Sequence, residues 1–97
     1  MPATEARCEV EIQCADGLHL RIAAQFARIA SAYQAEIRLS RADRAADGKS
    51  VMDLLTLAVE CGARVELEAR GADAKEAIAA LGEFLALLPC ESAERQP

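Results

Sequence analysis

The feature that most constrains the fold is a repeated switch in the spacing of the apolar residues along the chain. Some segments alternate apolar and polar residues, whereas others carry apolar residues at intervals of three and four. The first spacing is typical of strands with one buried face, and the second of helices with one apolar stripe. A chain of 97 residues with both patterns predicts one α+β domain: a sheet covered by helices on one side.

Three segments have the alternation of a half-buried strand, and they are predicted at 8–14, 35–39 and 63–69. The inward-facing residues of the first are predicted to be Cys8, Val10, Ile12 and Cys14, and those of the last Val65, Leu67 and Ala69. A short edge strand and an Asp47-Gly48 turn are also predicted between Arg41 and Gly48.

Three segments have helical spacing, and they are predicted at about 20–33, 51–61 and 73–88. The apolar stripe of the first comprises Ala23, Phe26, Ala27, Ala30 and Tyr33, and that of the last Ile78, Leu81, Phe84, Leu85 and Leu88. Ser50 is predicted to cap the second helix, which Gly62 closes. Asp73 is predicted to begin the third in a capping box with Glu76, and Pro89 to end it.

Composition excludes several classes of function. Eleven Lys and Arg against 16 Asp and Glu give a net charge of −5, which argues against a nucleic-acid binder that depends on phosphate contacts. Three aromatic residues are too few for a base-stacking platform. No apolar run is long enough for a membrane helix, and residues 1–7 lack the pattern of a signal peptide. We therefore expect a cytoplasmic protein that does not insert into membranes.

The four cysteines are Cys8, Cys14, Cys61 and Cys90, and they form no CxxC pair. This spacing argues against a zinc site or a thioredoxin-like redox motif. Cys8 and Cys14 lie on one predicted strand, about 20 Å apart at the usual rise per residue, so they cannot bond to each other. Four reduced thiols that act as small apolar or surface residues are expected, with no metal and no cofactor.

His19 is the only histidine, and it precedes the first predicted helix. Such a residue is most often solvated or a cap, but its position favours more specific chemistry. A helix N-terminus offers unpaired N–H groups and the positive end of the helix dipole, which stabilise an anion. A neutral imidazole there is a plausible phosphoryl acceptor, and Arg21 could pair with phosphoryl oxygens.

The second predicted helix has a possible partner-binding surface. If Leu54, Leu57 and Ala58 face the core, then Val51, Met52 and Leu55 face outward. An exposed apolar patch often marks a surface that binds a partner. The alternative is that this short helix is simply buried.

Two motifs resemble the HPr family, the histidine-containing phosphocarrier proteins of the bacterial phosphoenolpyruvate-dependent phosphotransferase system. The segment 17–21 followed by Ala23-Ala24 resembles the family's active-site motif, and 48–57 resembles its regulatory serine region. Gly62-Ala63 and the segment 71–74 also match, so the resemblance covers roughly residues 7–88. It implies an open-faced β-sandwich with a four-stranded antiparallel sheet and three helices on one face (βαββαβα). One domain over 1–97 is expected, with an ordered core at about 7–88 and flexible tails at 1–6 and 90–97.

The resemblance also implies a mechanism. His19 would accept a phosphoryl group on Nδ1 from phosphorylated enzyme I and pass it to an enzyme IIA domain in sugar uptake, with Arg21 stabilising the group. The protein would be a stoichiometric carrier, not an enzyme, and it is expected to be a monomer. Ser50 matches the position that an HPr kinase/phosphorylase modifies in some bacteria. Leu20, Val51, Met52 and Leu55 would form the partner-binding surface.

One departure from the family pattern lies in the active-site motif, where Ile22 replaces the usual proline. Proline in the first turn of a helix fixes φ and lacks an N–H that has no intrahelical acceptor there. Ile22 gives up that rigidity and adds an N–H at the anion site.

Two other functions stay open from the sequence. The first is a regulatory interaction module, in nitrogen-related or carbon-catabolite control, that acts through Val51, Met52 and Leu55 while His19 is inert. The second, weaker alternative is an enzyme with His19 as a general base, for which the sequence offers no convincing titratable partner.

Overall fold

The computed structural model describes residues 4–12, 19–57, 59–60 and 62–88. Four strands and three helices follow the predicted order. The strands are β1 (Glu5–Glu11), β2 (Glu36–Arg41), β3 (Arg44–Asp47) and β4 (Arg64–Arg70), and the helices are α1 (Leu20–Ser31), α2 (Val51–Thr56) and α3 (Ala74–Ala86). None of the helices in the described segments is both long and apolar enough to cross a membrane.

The strands form one antiparallel sheet in the order β1-β4-β2-β3, so β1 and β3 lie at its edges. α3 packs against β1 and β4, α1 contacts α2 and α3, and α2 contacts β3. The apolar residues of the strands face these helices, as the burial of Val65, Leu67 and Ala69 shows. This arrangement confirms the predicted two-layer α+β fold.

The other face of the sheet is open to solvent and carries charged residues on adjacent strands. Arg7 pairs with Glu66 and Glu68 of β4, and the other two ion pairs in the described strands also join β1 to β4: Arg64 to Glu9 and Arg70 to Glu5. These side chains are 30–67% exposed, so each pair contributes at most about 1 kcal/mol to stability. Their main effect is to keep one face of the sheet hydrated.

Several element bounds differ from the sequence prediction. β1 begins at Glu5, inside the predicted tail, and its regular pairing ends at Glu11, although Ile12 still donates to the Ala63 carbonyl at 2.9 Å. α1 ends at Ser31, short of the predicted residue 33. α2 ends at Thr56 instead of Cys61, with Leu57 as its C-cap. The described residues do not include Cys14, Cys61 and Cys90, nor Ala58 and Pro89, so the predictions made for them stay predictions.

Asp73 begins α3, but the predicted capping box is wrong. The residue has φ −104° and ψ 27°, and its side chain makes no cap hydrogen bond. Its carboxylate instead accepts hydrogen bonds from the backbone N–H groups of Gln34 and Ala35, both at 2.8 Å. Asp73 therefore fastens the α1–β2 connection to the start of α3. Gly71 permits this close approach, since a Cβ there would lie 2.8 Å from the Cα of Ala35.

These contacts give a pH-dependent prediction. The Gln34 N–H is the main cause that lowers the pKa of Asp73, and the Ala35 N–H and the Lys49 ammonium lower it further against the opposing effect of desolvation. A lowered folded-state pKa contributes stability above the unfolded-state pKa, and the contribution disappears as pH falls through the folded-state pKa. We expect Asp73→Asn to lower the thermal midpoint at neutral pH and to converge with the wild type in acid.

Thermal unfolding followed by circular dichroism across this pH range measures the effect. Asp43→Asn is the matched control, because it removes the same charge from an exposed position in the β2–β3 turn. A difference from wild type that stays constant down to strongly acidic pH would contradict the role of the Asp73 carboxylate.

Candidate functional site

His19 is the N-cap residue of α1. Its backbone is extended, with φ −92° and ψ −178°, and its carbonyl accepts the first intrahelical hydrogen bond from the Ala23 N–H at 2.8 Å. The N–H groups of the first turn, those of Leu20, Arg21 and Ile22, have no acceptor within the helix. The His19 side chain makes no cap hydrogen bond to them. The helix therefore presents donors beside the imidazole.

His19 is half-buried. Nε2 is buried and has no hydrogen-bond partner among the described residues. A neutral imidazole carries its proton on one nitrogen and keeps a lone pair on the other. An external group therefore cannot reach Nε2 in this arrangement.

The charge around the first turn of α1 favours an anion. Arg21 is exposed there, and the turn has no acidic side chain. The first turns of the other two helices differ, since Asp53 lies in that of α2 and Glu76 in that of α3. A carboxylate in the first turn offsets the positive end of the helix dipole, and among the three described helices only the first turn of α1 lacks one.

Ile22, which replaces the family's usual proline, lies in the core with only 3% of its surface exposed. Its position inside regular helix shows that α1 forms without the proline. The Ile22 side chain secures the first turn through packing, while its N–H remains available beside His19.

Ser50 is the N-cap of α2, as predicted. Its Oγ accepts a hydrogen bond from the Asp53 N–H at 3.2 Å, and its carbonyl accepts one from the Leu54 N–H at 3.0 Å. One Asp53 carboxylate oxygen lies 3.4 Å from the Asp47 backbone nitrogen, which donates to it. Ser50 thus lies between two acidic residues, at the start of the helix that carries the predicted partner-binding residues.

The predicted apolar surface is present in part. Leu20 and Met52 are exposed at 63% and 73%, and they are two of the three large apolar residues exposed in the described chain. Val51 and Leu55 are half-buried and pack against the core. Leu54 and Leu57 face inward as predicted. α2 therefore buries one side and presents Met52, with part of Val51 and Leu55, to the surroundings.

Sequence analysis missed two arginines that contact α2. Arg44 donates to the Thr56 carbonyl at 3.1 Å, and Arg41 reaches the Leu57 carbonyl at 3.4 Å. The signal was available in the alternation of β2, because Arg41 shares the inward-facing parity of Ile37 and Leu39. A charged residue in such a row indicates a polar contact beyond the end of the core.

Cys8 is half-buried on β1, and burial raises the pKa of its thiol. A raised pKa lowers the fraction of reactive thiolate. This agrees with the interpretation of Cys8 as a small apolar residue. No group of three or more His, Cys, Asp or Glu residues with metal-binding geometry occurs in the described segments.

Comparison with known proteins gives one family throughout. A protein-family model for the HPr component of the phosphotransferase system, described by its phosphorylation site, matches residues 6–86. The phosphocarrier protein HPr of Vibrio cholerae is 41% identical over 70 residues, which are 72% of this chain and 82% of that protein. HPr of Haemophilus influenzae is 38% identical over 81 residues, 84% of this chain and 92% of that protein.

The structural comparison agrees. The crystal structure of the phosphocarrier protein HPr from Bacillus anthracis superposes with a TM-score of 0.80 at 28% identity, covering 84% of this chain and 98% of that one. Fold, sequence and the matched phosphorylation-site region lead to the same assignment. The chain belongs to the HPr family, the phosphocarrier proteins of the phosphotransferase system.

Proposed function

We propose that this protein is a stoichiometric phosphoryl carrier whose acceptor is Nδ1 of His19. It takes the phosphoryl group from phosphorylated enzyme I and gives it to a histidine of an enzyme IIA domain in sugar uptake. The observation that carries the proposal is the position of His19: it is the N-cap of a helix whose first turn holds Arg21 and no acid. The carrier works in the cytoplasm as a monomer.

The site suits a group that must both arrive and leave. Attack by the Nδ1 lone pair on the phosphorus of the donor's phosphohistidine forms one N–P bond while the donor's N–P bond breaks. The group keeps its negative charge on three oxygens, which the first-turn N–H groups and Arg21 stabilise. The described residues include no buried charged side chain that would trap the group, so transfer to the next histidine can reverse the same step.

The experiment is incubation of the full chain with enzyme I, Mg²⁺ and phosphoenolpyruvate, followed by intact mass analysis. We expect the mass of one phosphoryl group to be added, and acid treatment to remove it, as is typical of phosphohistidine. A protein that stays unmodified while a known HPr is phosphorylated in the same reaction would contradict the proposal.

The second part of the proposal is that an HPr kinase/phosphorylase regulates the carrier at Ser50. The exposed surface of α2, which begins next to Ser50, supports it. A phosphate there would add about −1.5 to −2 charge between Asp47 and Asp53 and beside Met52. Partners that approach the apolar surface of α2 would have to desolvate that charge, so docking would weaken without a change of fold.

We expect Ser50→Asp to slow phosphoryl transfer from enzyme I by about 10-fold, because a charge in a docking surface costs binding free energy. The measurement is the initial rate of phosphorylation of the variant. Ser50→Ala is the matched control: it loses the cap, at a cost of about 1 kcal/mol in stability, but adds no charge and should keep the wild-type rate. Equal rates for Ser50→Asp and wild type would remove the regulatory role.

A pure interaction module remains the alternative, favoured by the exposure of Met52. In that case the α2 surface would bind a regulator whether or not His19 carries a phosphoryl group. The phosphorylation experiment separates the two, since an interaction module has no need of an acid-labile modification.

A further inference from the structure

The β2–β3 hairpin reaches across to the C-terminal end of α2. Arg41 and Arg44 flank the two-residue turn and are opposite each other in the pairing of β2 with β3. The preceding inward-facing pair, Leu39 and Ala46, is buried in the core. The arginine pair therefore continues the inward-facing row beyond the core, to the place where α2 ends.

The two guanidinium groups bind the carbonyls at the end of α2. Arg44 donates to the Thr56 oxygen at 3.1 Å and Arg41 to the Leu57 oxygen at 3.4 Å. The last carbonyls of a helix have no intrahelical donor and carry the negative end of the dipole, which cations stabilise. α2 has no basic residue in its own last turn. The hairpin therefore supplies the cationic donors that the last turn of α2 lacks.

α2 needs this support because it has only six residues, Val51–Thr56. Isolated helices of that length are not stable in water, so tertiary contacts must determine its shape and orientation. At its start, Ser50 caps it. In the middle, Leu54 anchors it in the core. At its end, its carbonyls accept hydrogen bonds from the two arginines of the β2–β3 hairpin.

The hairpin turn itself is held in an unfavourable conformation. Ala42 has φ 55°, a left-handed conformation that costs a residue with a Cβ about 1 kcal/mol or more. Such a turn persists when its surroundings hold it, and here the residues on both sides of the turn are bound to α2.

From these contacts we infer that Arg41 and Arg44 are positioning residues, which hold α2 in the orientation that presents Met52 and Leu55 to protein partners. Their role is to hold α2 and not to bind the phosphoryl group. The inference rests on the proposed phosphocarrier function and adds the β2–β3 hairpin to the determinants of partner affinity.

The experiment uses Arg44→Gln in the full chain as a substrate of phosphorylated enzyme I. We expect its KM to rise about 5-fold at unchanged kcat, the effect of losing one charge-assisted hydrogen bond at an exposed site. Arg44→Lys, which keeps a cationic donor, should restore the wild-type KM. Arg38→Gln is the matched control, because it removes the same charge from an exposed position on the same hairpin that alternates with the buried Ile37 and Leu39.

Amide hydrogen exchange provides a readout that needs no partner. The Leu54 and Leu57 amides donate within α2 and at its C-cap, and both should exchange faster in Arg44→Gln, whereas the Leu67 amide of β4 should not change. Equal KM values for Arg44→Gln and Arg38→Gln, with unchanged exchange in α2, would overturn the positioning role but leave the proposed phosphocarrier function intact. A wild type that enzyme I does not phosphorylate would instead overturn the proposed function.

Discussion

His19→Gln is expected to abolish phosphorylation by enzyme I and phosphoenolpyruvate while the fold stays intact. Glutamine can occupy the N-cap position, but its amide nitrogen has no nucleophilic lone pair, so no N–P bond can form. The loss should be complete, because His19 is the only histidine in the sequence. Intact mass analysis measures the effect.

Gln25→Ala is a suitable control for that experiment, since Gln25 is exposed on the same helix beyond its first turn. It should be phosphorylated like the wild type. Thermal unfolding should give similar midpoints for all three proteins. Acid-labile phosphorylation that persists in His19→Gln would show that another residue is the acceptor, and the proposed mechanism would be wrong.

Phe26→Ala should have the largest effect on stability. Phe26 is fully buried on α1, where its ring lies 6.4 Å from that of Phe84 on α3 at an interplanar angle of 59°. Removal of a buried Phe side chain costs about 3–5 kcal/mol, because transfer free energy is lost and a cavity remains. A domain of this size has about 5–15 kcal/mol in total, so the variant should lose a large fraction of its stability.

Chemical denaturation with urea measures this change as the shift of the midpoint. Leu20→Ala is the control: it removes a large apolar side chain from the same helix, but one that is 63% exposed, and should change stability by no more than about 0.5 kcal/mol. A Phe26→Ala midpoint near that of Leu20→Ala would mean that the core does not depend on the contact between α1 and α3.

The order of elements was predictable from the sequence because the alternating and helical patterns are long and separate. The residues at which the helices and strands end were harder to predict. Leu57 and Val59 are both buried, and buried residues beyond Thr56 extend an apolar pattern past the helix that they follow. Apolar spacing reports burial, whereas a helix ends where its backbone hydrogen bonds end, and for α2 the two differ.

Asp73 illustrates a second limit. A short-range motif predicts a short-range contact, but its carboxylate binds N–H groups 38 and 39 residues away in the chain. The backbone at Asp73 is not extended, so its side chain cannot reach the N–H groups of its own helix in the usual way. Long-range packing decides such contacts, and a single sequence does not contain it.

At the candidate site, the sequence predicted where His19 and Ser50 lie because caps depend on local chemistry. It could not predict that Nε2 is buried. The alternation of β2 could indicate a polar contact for Arg41, but not that α2 is the partner of Arg41 and Arg44, because that depends on which elements meet in space. Residues that act locally were found, and residues that act through tertiary contacts were missed.

The strand order has a consequence for biosynthesis. β1 lies at an edge and pairs with β4, so Glu5 meets Arg70. The ribosome must therefore synthesise the chain as far as Arg70 before the first strand can pair along its full length. Until then β1 on the nascent chain has no strand to pair with, and pairing between two segments so far apart in sequence is slow. The sheet is completed only after β4 has been synthesised, and a product truncated before β4 would leave its first strand without a neighbour.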